Sequence, residues 1–286
     1  MTEPPLGLIG LGLVGSALAE RFEQAGFTVH GHDIDPVRMQ SFSGVAQRSA
    51  FDVAKSCRRT VLSLPTTEIV QSVLAEIDAA VQPGDILLDT TTGDPDAIAS
   101  LGALLLTRGV HYVDATIAGS SVQVRAGDVI VMLGGAATAV QACDDVIRSF
   151  AKQSFHLGPC SAGARMKLVV NLVLGLYRAV LAEGLSFAKA CGIDPAIALE
   201  VLQAGPAYSR VMDTKGQKML ARDFEPQARL SQHLKDVRLI LAEAAKHGAK
   251  TPLSELHHAL LKALETAGYG NEDNVAIIRA FEENKN

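Results

Sequence analysis

Three glycines at the spacing G-x-G-x-x-G constrain this chain more than any other feature. Gly10, Gly12 and Gly15 follow an apolar run, Leu6, Leu8 and Ile9, and open a helical pattern, Val14, Leu18 and Phe22, that stops at Gly26. A second strand pattern, Phe27 to Gly31, leads to Asp33. Strand, tight turn, helix, strand and acid in that order form a cradle for a dinucleotide. Gly10 permits the sharp turn at the strand end. Gly12 lets the backbone approach a pyrophosphate, and Gly15 lets the helix lie close to the sheet. The helix start presents free N–H groups and the positive end of its dipole to the phosphates. The turn residues Gly10, Leu11, Gly12, Leu13, Val14 and Gly15 are therefore expected to line the cofactor. Asp33 is expected to accept hydrogen bonds from the ribose hydroxyls and to repel a 2′-phosphate, which favours NAD over NADP. Asp35, beside Pro36, reads as a turn or cap residue.

After Asp33 the chain alternates short strands and helices. Strand patterns fall at residues 60–64, 86–89, 110–114, 129–133 and 154–157. Helical patterns fall at 37–40, 51–55, 66–79, 95–108 and 136–150. That alternation predicts a mostly parallel, helix-covered sheet. Past Gly158-Pro159 nearly everything reads helical: residues 164–191, a helix from Asp194-Pro195 to Gly205, then 230–246, 252–267 and 273–283. The expected fold is an α/β Rossmann-type doubly wound parallel sheet, residues 1–161, followed by an all-helical C-terminal domain, residues 162–286. A helix of about 28 residues is about 42 Å long. It is expected to be apolar on most sides, buried nearly all round, and to act as a spine or a subunit contact.

Composition narrows the function. The 286 residues are 48% hydrophobic and 20% charged, which suits a folded protein. A net charge of −5 without a Lys/Arg block argues against a nucleic-acid partner. The start, MTEPPLGLIG, lacks a basic leader pattern, and no apolar run reaches the about 18 residues of a membrane span. With four dispersed cysteines, a cytoplasmic protein with reduced thiols is expected. No metal is expected, since His257-His258 are adjacent on a helix and do not face one site.

Loops at the strand ends supply the candidate site. Leu64 and Pro65 form a rigid surface that braces a cofactor or merely ends a strand. Of Thr90, Thr91 and Thr92, Thr92 is the candidate cofactor ligand, and another is expected to cap the helix beginning near Pro95. Ala118, Gly119, Ser120 and Ser121 are small and consecutive, so their N–H groups could nest a carboxylate, with a serine hydroxyl assisting; the plainer reading is a turn that needs small residues. Arg125 is expected either to meet the substrate or to pair with Asp128. Lys167 stands alone in an apolar helical stretch, with Asn171 one turn on and so on the same face. Such a lysine can exchange a proton with an oxygen at a reacting carbon; the plainer reading is a snorkelling side chain. Arg210, in a loop with Tyr208 and Ser209, either meets a distal anion or forms a surface ion pair.

Five blocks together resemble the 3-hydroxyisobutyrate dehydrogenase, or β-hydroxyacid dehydrogenase, family across nearly the whole chain. They are GLIGLGLVGSALAERFEQAGFTV, DATIAGSSVQV (Asp114 to Val124), GPCSAGARMKLVVN (Gly158 to Asn171), HLKDVRLILAEA with Lys235 and Asp236, and GYGNEDNVAIIRAFE with Asp273. The resemblance implies reversible NAD(P)-dependent oxidation of small hydroxy acids to aldehyde or keto acids, usually by dimers or tetramers. It implies Lys167 as acid/base and Asn171 as the residue that orients substrate. It further implies a substrate-carboxylate loop around Gly119 and Lys235 closing on cofactor and substrate. The partner implied is a small anionic hydroxy acid or semialdehyde. Departures fall at Thr116, Ala118, Ser120, Ser161 and Val170, where the family pattern has Pro, Ser, Gly, Gly and Asn; they touch the substrate more than the chemistry. Alternative readings are an imine reductase-like enzyme, against which Lys167 argues, and a non-catalytic NAD(H)-binding homologue.

Overall fold

Strand β1 (Leu6–Ile9) is fully buried and runs straight into the glycine turn, and α1 (Leu13–Gln24) returns across the sheet. The rest of the first unit repeats this step: β2 (Val29–His32), α2 (Pro36–Gln40), β3 (Val45–Ala46), α3 (Ala50–Ser56), β4 (Arg59–Leu62), α4 (Thr67–Ile77), β5 (Ile86–Asp89), α5 (Pro95–Leu106), β6 (His111–Ala118), α6 (Ser121–Arg125), β7 (Ile130–Gly134), α7 (Ala137–Gln141), α8 (Asp144–Phe150) and β8 (Gln153–His156). The computed structural model describes residues 4–282, so the expectations placed on residues 1–3 and on residue 283 lie outside it. One sheet carries all eight strands in the order β3-β2-β1-β4-β5-β6-β7-β8. The pairs from β3 to β6 are parallel, and β6 meets β7 antiparallel, Asp114 opposite Gly134. Strands β1, β4, β5 and β6 are thus parallel neighbours, and their carboxyl ends lie side by side along one edge of the sheet. A core on one face of the sheet centres on Phe22, edge-on to Phe27 and Phe150 at ring separations of 6.3 and 5.9 Å.

Several local expectations need correction. The helix read as 136–150 is two helices, α7 and α8, because the chain bends between Gln141 and Asp144. Strand β6 does not stop at Asp114 but continues to Ala118, since β7 pairs with it along that length. Asp94, not a threonine, caps α5, its carboxylate accepting from the N–H groups of Asp96 and Ala97. Asp35 does cap α2, accepting from Val37 N at 2.9 Å.

The chain divides into two compact units, with the break between Lys167 and Leu168. Helix α9 (Ala162–Ala190, 29 residues) begins in the first and supplies the opening helix of the second. The second unit continues with α10 (Pro195–Ala204), a π-helical turn at Met212–Gly216, α11 (Gln217–Ala221), α12 (Leu230–Lys246), α13 (Pro252–Thr266) and a 3-10 segment, Asn274–Phe281. That segment replaces the α-helix expected from residue 273. Asp273 explains its start: the buried carboxylate receives Lys215 Nζ at 3.0 Å and the N–H groups of Gln227, Ala228 and Val275. Helix α9 is not buried nearly all round. Val169, Tyr177, Val180 and Phe187 are 50, 47, 65 and 70% exposed. By length and apolar content α9 would also pass for a membrane span, contrary to the expectation from run length. It carries Lys167, Asn171 and the buried Arg178, however, and Arg178 lies in the field of Asp273 and Asp236. Such a helix belongs to a packed core.

Phe22→Ala should lower the stability of the sheet unit by about 3–5 kcal/mol, the usual cost of deleting a buried phenyl ring. Urea denaturation followed by circular dichroism reads the loss.

Candidate active site at the carboxyl edge of the sheet

The glycine turn has the shape its spacing implies. Gly10 sits at φ +95°, in the region that favours glycine, and a Cβ there would lie 2.3 Å from the Ser63 carbonyl oxygen. A Cβ on Gly15 would lie 1.9 Å from the Gly10 carbonyl oxygen, so only glycine lets α1 seat on the turn. At Gly12, by contrast, the nearest atom to such a Cβ among the described residues is Arg38 Nη1, 3.8 Å away. Two glycines thus serve packing, and the third leaves room in front of the α1 N-terminus. An anionic pyrophosphate fits that place, facing N–H groups and the positive end of the helix dipole. Around the turn Leu11 and Gly15 are buried, Gly12 and Val14 half-buried and Leu13 exposed.

Asp33 closes the cradle. Its Oδ2 accepts from Leu11 N at 2.6 Å and its Oδ1 from Asp35 N at 2.8 Å. Burial alone would push this carboxyl up; the Asp35 and Leu11 N–H groups and the Arg38 guanidinium hold it below its ordinary 3.8. It is therefore ionised at neutral pH, as a ribose acceptor requires. Arg38 reaches the same acid from α2, with Nη1 3.2 Å from Asp33 Oδ2, while its Nε lies 3.3 Å from Asp35, a pairing that sequence spacing does not announce. The short helix α2 turns the side chain back over the strand end.

At the end of β4, Leu64 is half-buried and Pro65 exposed, and Leu64 N donates to Thr91 Oγ1 at 3.2 Å. Thr90 Oγ1 donates to the Leu62 carbonyl. Two of the three threonines thus tie β5 to β4, and Thr92 is half-buried beyond them.

The loop after β6 is tighter than the sequence suggests. Ala118 ends the strand, and Ser120 is the N-cap of α6 in a capping box with Gln123. Ser120 N donates to Gln123 Oε1 at 2.9 Å, and Ser120 Oγ accepts from Gln123 N at 3.3 Å. The amide and hydroxyl of Ser120 are committed to this cap rather than to a nest; Gly119 is exposed and Ser121 half-buried. Arg125 does not pair with Asp128. It reaches across to α1, where Nε meets Glu20 at 3.0 Å and Nη2 meets Ser16 Oγ at 3.2 Å, while Lys152 takes Asp128.

Lys167 joins this group from the start of α9. Its half-buried side chain donates from Nζ to the Ile117 carbonyl at 2.7 Å, beside the Ala118–Ser121 loop. The structure therefore brings the glycine turn, Leu64, Thr92, the Ala118–Ser121 loop and Lys167 to one edge of the first unit. Asn171 belongs to the second unit, where its Nδ2 donates to Asp236 Oδ2 at 3.0 Å. Lys235 precedes that aspartate on α12 and is half-buried. The Lys-Asp pair was legible; that its aspartate holds Asn171 was not, because nothing local links residues so far apart. Arg210 is exposed at the start of the turn that leads into Met212.

This cradle, its ionised acid and the parallel sheet define a Rossmann-fold NAD-binding oxidoreductase. Residues 5–158 match the NAD binding domain of 6-phosphogluconate dehydrogenase, and the chain belongs to that family. Residues 161–281 match a second family, described as the NAD-binding region of NADP-dependent 3-hydroxyisobutyrate dehydrogenase. Among relatives, the L-threonate dehydrogenase of Cupriavidus necator is 28% identical over 283 residues, covering 96% of this chain and 95% of that protein. The cytokine-like nuclear factor N-PAC of Xenopus tropicalis is 25% identical over 98% of this chain, which spans 54% of that longer protein. The solved 3-hydroxyisobutyrate dehydrogenase of Mycobacterium tuberculosis with L-serine shares the fold at a TM-score of 0.90 and 22% identity, covering 99% of this chain and 100% of that one.

Asp33→Asn should cost about 1–3 kcal/mol at neutral pH, because buried N–H groups lose a charged acceptor. The native Asp33 carboxyl lies below 3.8, so the wild-type advantage is full above that pH and fades as pH falls through the lower native value. Urea curves of the two proteins should converge in acid.

Proposed function

We propose that this protein interconverts a small 3-hydroxy acid and the matching aldehyde or keto acid by hydride exchange with NAD, with Lys167 as the acid/base. The observation that carries this reading is the Lys167 ammonium beside the Ala118–Ser121 loop, on the same sheet edge as the dinucleotide cradle. When bound, NAD supplies the hydride acceptor. The protein's own groups do the rest. The glycine turn and α1 N-terminus bind the pyrophosphate, and Asp33 takes the ribose hydroxyls, with Leu64, Pro65 and Thr92 alongside. Gly119 and Ser121 receive the substrate carboxylate. Lys167 holds the substrate hydroxyl; as the neutral amine it accepts the hydroxyl proton as hydride leaves, becoming the ammonium, and the ammonium returns that proton in the reverse direction. Asn171, braced by Asp236, orients the substrate, and Lys235 closes on cofactor and substrate. Kinship to an L-threonate dehydrogenase supports a small polyhydroxy acid as substrate.

We further propose that the protein works as a homodimer or homotetramer. Val169, Val173, Tyr177, Val180 and Phe187 fall on α9 at near-helical spacing and are exposed in the single chain. An apolar stripe of that kind calls for a partner surface, and a second copy supplies one by symmetry.

NADH formation from NAD with 3-hydroxyisobutyrate, glycerate, threonate and 3-hydroxypropionate, beside parallel NADP reactions, tests the activity. One acid should turn over, and Lys167→Ala should lose about 10²–10⁴-fold in kcat. NADH binding without turnover of any acid would sink the hydroxy-acid reading; turnover of a cyclic imine would replace it. Val180→Asp should shift the mass measured by light scattering toward the monomer.

A further inference from the structure

Strand β6 grips the beginning of α9 at three places. The Asp114 side chain, 0% exposed, accepts from Ser161 N at 2.6 Å on Oδ1 and from Ala164 N at 2.8 Å on Oδ2. Thr116 Oγ1 donates to the Gly163 carbonyl at 3.0 Å, and Lys167 Nζ donates to the Ile117 carbonyl at 2.7 Å. The carboxylate is walled in by backbone. A Cβ on Gly134 would lie 2.4 Å from its Oδ1, and one on Gly163 would lie 2.8 Å from its Oδ2. Ser161, whose N–H it receives, is fully buried at φ +81°, a left-handed conformation that serine adopts only when its surroundings impose it. Arg165 Nη1 holds the same serine, donating to its Oγ at 2.7 Å.

We propose that Asp114 is a positioning residue for Lys167: its carboxylate locks the first turn of α9 onto β6 and so sets where the ammonium meets the strand end. This rests on the reading of Lys167 as the acid/base. The hydrogen bonds go to the two amides that begin the helix, and Lys167 follows Ala164 by three residues, less than one turn. A shift of that turn moves Nζ along β6, away from the loop that receives the carboxylate.

The clamp is tied to protonation. The groups around Asp114 are Asp89 on β5, which accepts from the Tyr112 hydroxyl, then Tyr112 itself on β6, Cys160 before α9 and Arg165 within it. Burial pushes the Tyr112 hydroxyl and the Cys160 thiol up, the latter to about 12, so both stay neutral. Burial pushes Asp114 up to about 6, against the Ala164 and Ser161 N–H groups that favour its charge. Above about pH 6 the carboxylate accepts at both oxygens; below it a proton occupies one of them. A native pKa above the ordinary 3.8 means that this group makes the fold less stable, not more, as pH climbs from 3.8 to about 6. The clamp tightens over the same interval. Activity and the Asp114 contribution to stability should therefore run in opposite directions.

The test is Asp114→Asn, compared with wild type and Lys167→Ala in the full protein. Hydrogen exchange at the Ser161 and Ala164 amides, corrected for intrinsic rates, should quicken by about tenfold or more while the β1 and β4 amides hold. The rate at which acetic anhydride labels Lys167, read by mass spectrometry, should change with it. kcat should fall by about 10²-fold, as expected for a misplacement near 1 Å, with NADH binding unchanged and KM within about threefold. The acid limb of the wild-type kcat profile, near pH 6, should be absent in the variant. Wild-type exchange and labelling in a folded Asp114→Asn protein would overturn the proposal, as would an unchanged kcat and acid limb. If that variant does not fold, Thr116→Val removes the neighbouring grip; exchange at the Ser161 and Ala164 amides should quicken, labelling of Lys167 should change and kcat should fall, while the acid limb stays because Asp114 remains. Unmoved exchange, labelling and kcat overturn the proposal. Turnover surviving in Lys167→Ala would refute the acid/base reading, while exchange and labelling would still decide whether Asp114 positions the lysine.

Discussion

The first unit depends on how closely α1 lies against the end of β1. The Gly10 carbonyl oxygen occupies the space a Gly15 side chain would need. That contact fixes the axis of α1, and with it the direction in which the helix N-terminus points. It also brings Leu11 N within 2.6 Å of Asp33, so the acid at the end of β2 is aimed by the same turn that seats the helix. Phe22, further along α1, then meets Phe27 and Phe150 in the core. One missing methyl group thus connects the glycine turn, the acid after β2 and core packing.

Two buried carboxylates in this unit show how local donors set charge. Asp33 and Asp114 both lie away from water, and each receives two backbone N–H groups. Asp33 has the Arg38 guanidinium as well and stays below the ordinary carboxylate value. Asp114 is cut off from water, an effect that outweighs its N–H donors, and with Asp89 nearby it rises to about 6. The difference suits their places: under the proposed function Asp33 serves a cofactor that needs a permanent acceptor, whereas the Asp114 carboxylate receives only protein N–H groups.

Features encoded by neighbours in sequence were legible. The glycine turn, an acid directly after β2, the Asp35 cap, the mostly parallel alternation and the length of α9 all follow from local patterns, and each stands in the structure. Features encoded by contacts across the chain were not. Asp114 reads as the end of a strand, yet its partners are Ser161 and Ala164. Arg125 has Asp128 close in sequence, yet it crosses to Glu20. Ser120 looks available until Gln123 is seen to close the capping box. Asn171 was recognisable by its spacing from Lys167, but its brace, Asp236, lies on another helix. The burial of α9 was overestimated for the same reason: an apolar sequence does not say whether cover comes from the same chain.

The pocket around Asp114 ties together three positions far apart in sequence. Gly134 on β7 and Gly163 on α9 both lie against this carboxylate, and both also lie against backbone: a Cβ on Gly134 would be 2.7 Å from Ala162 N and the Pro159 carbonyl oxygen, and one on Gly163 would be 2.4 Å from the Met132 carbonyl oxygen. A smaller, uncharged residue at 114 would lift neither bar, because those backbone atoms stay where they are. Both glycines should therefore stay fixed in descendants of this chain, whatever residue stands at 114.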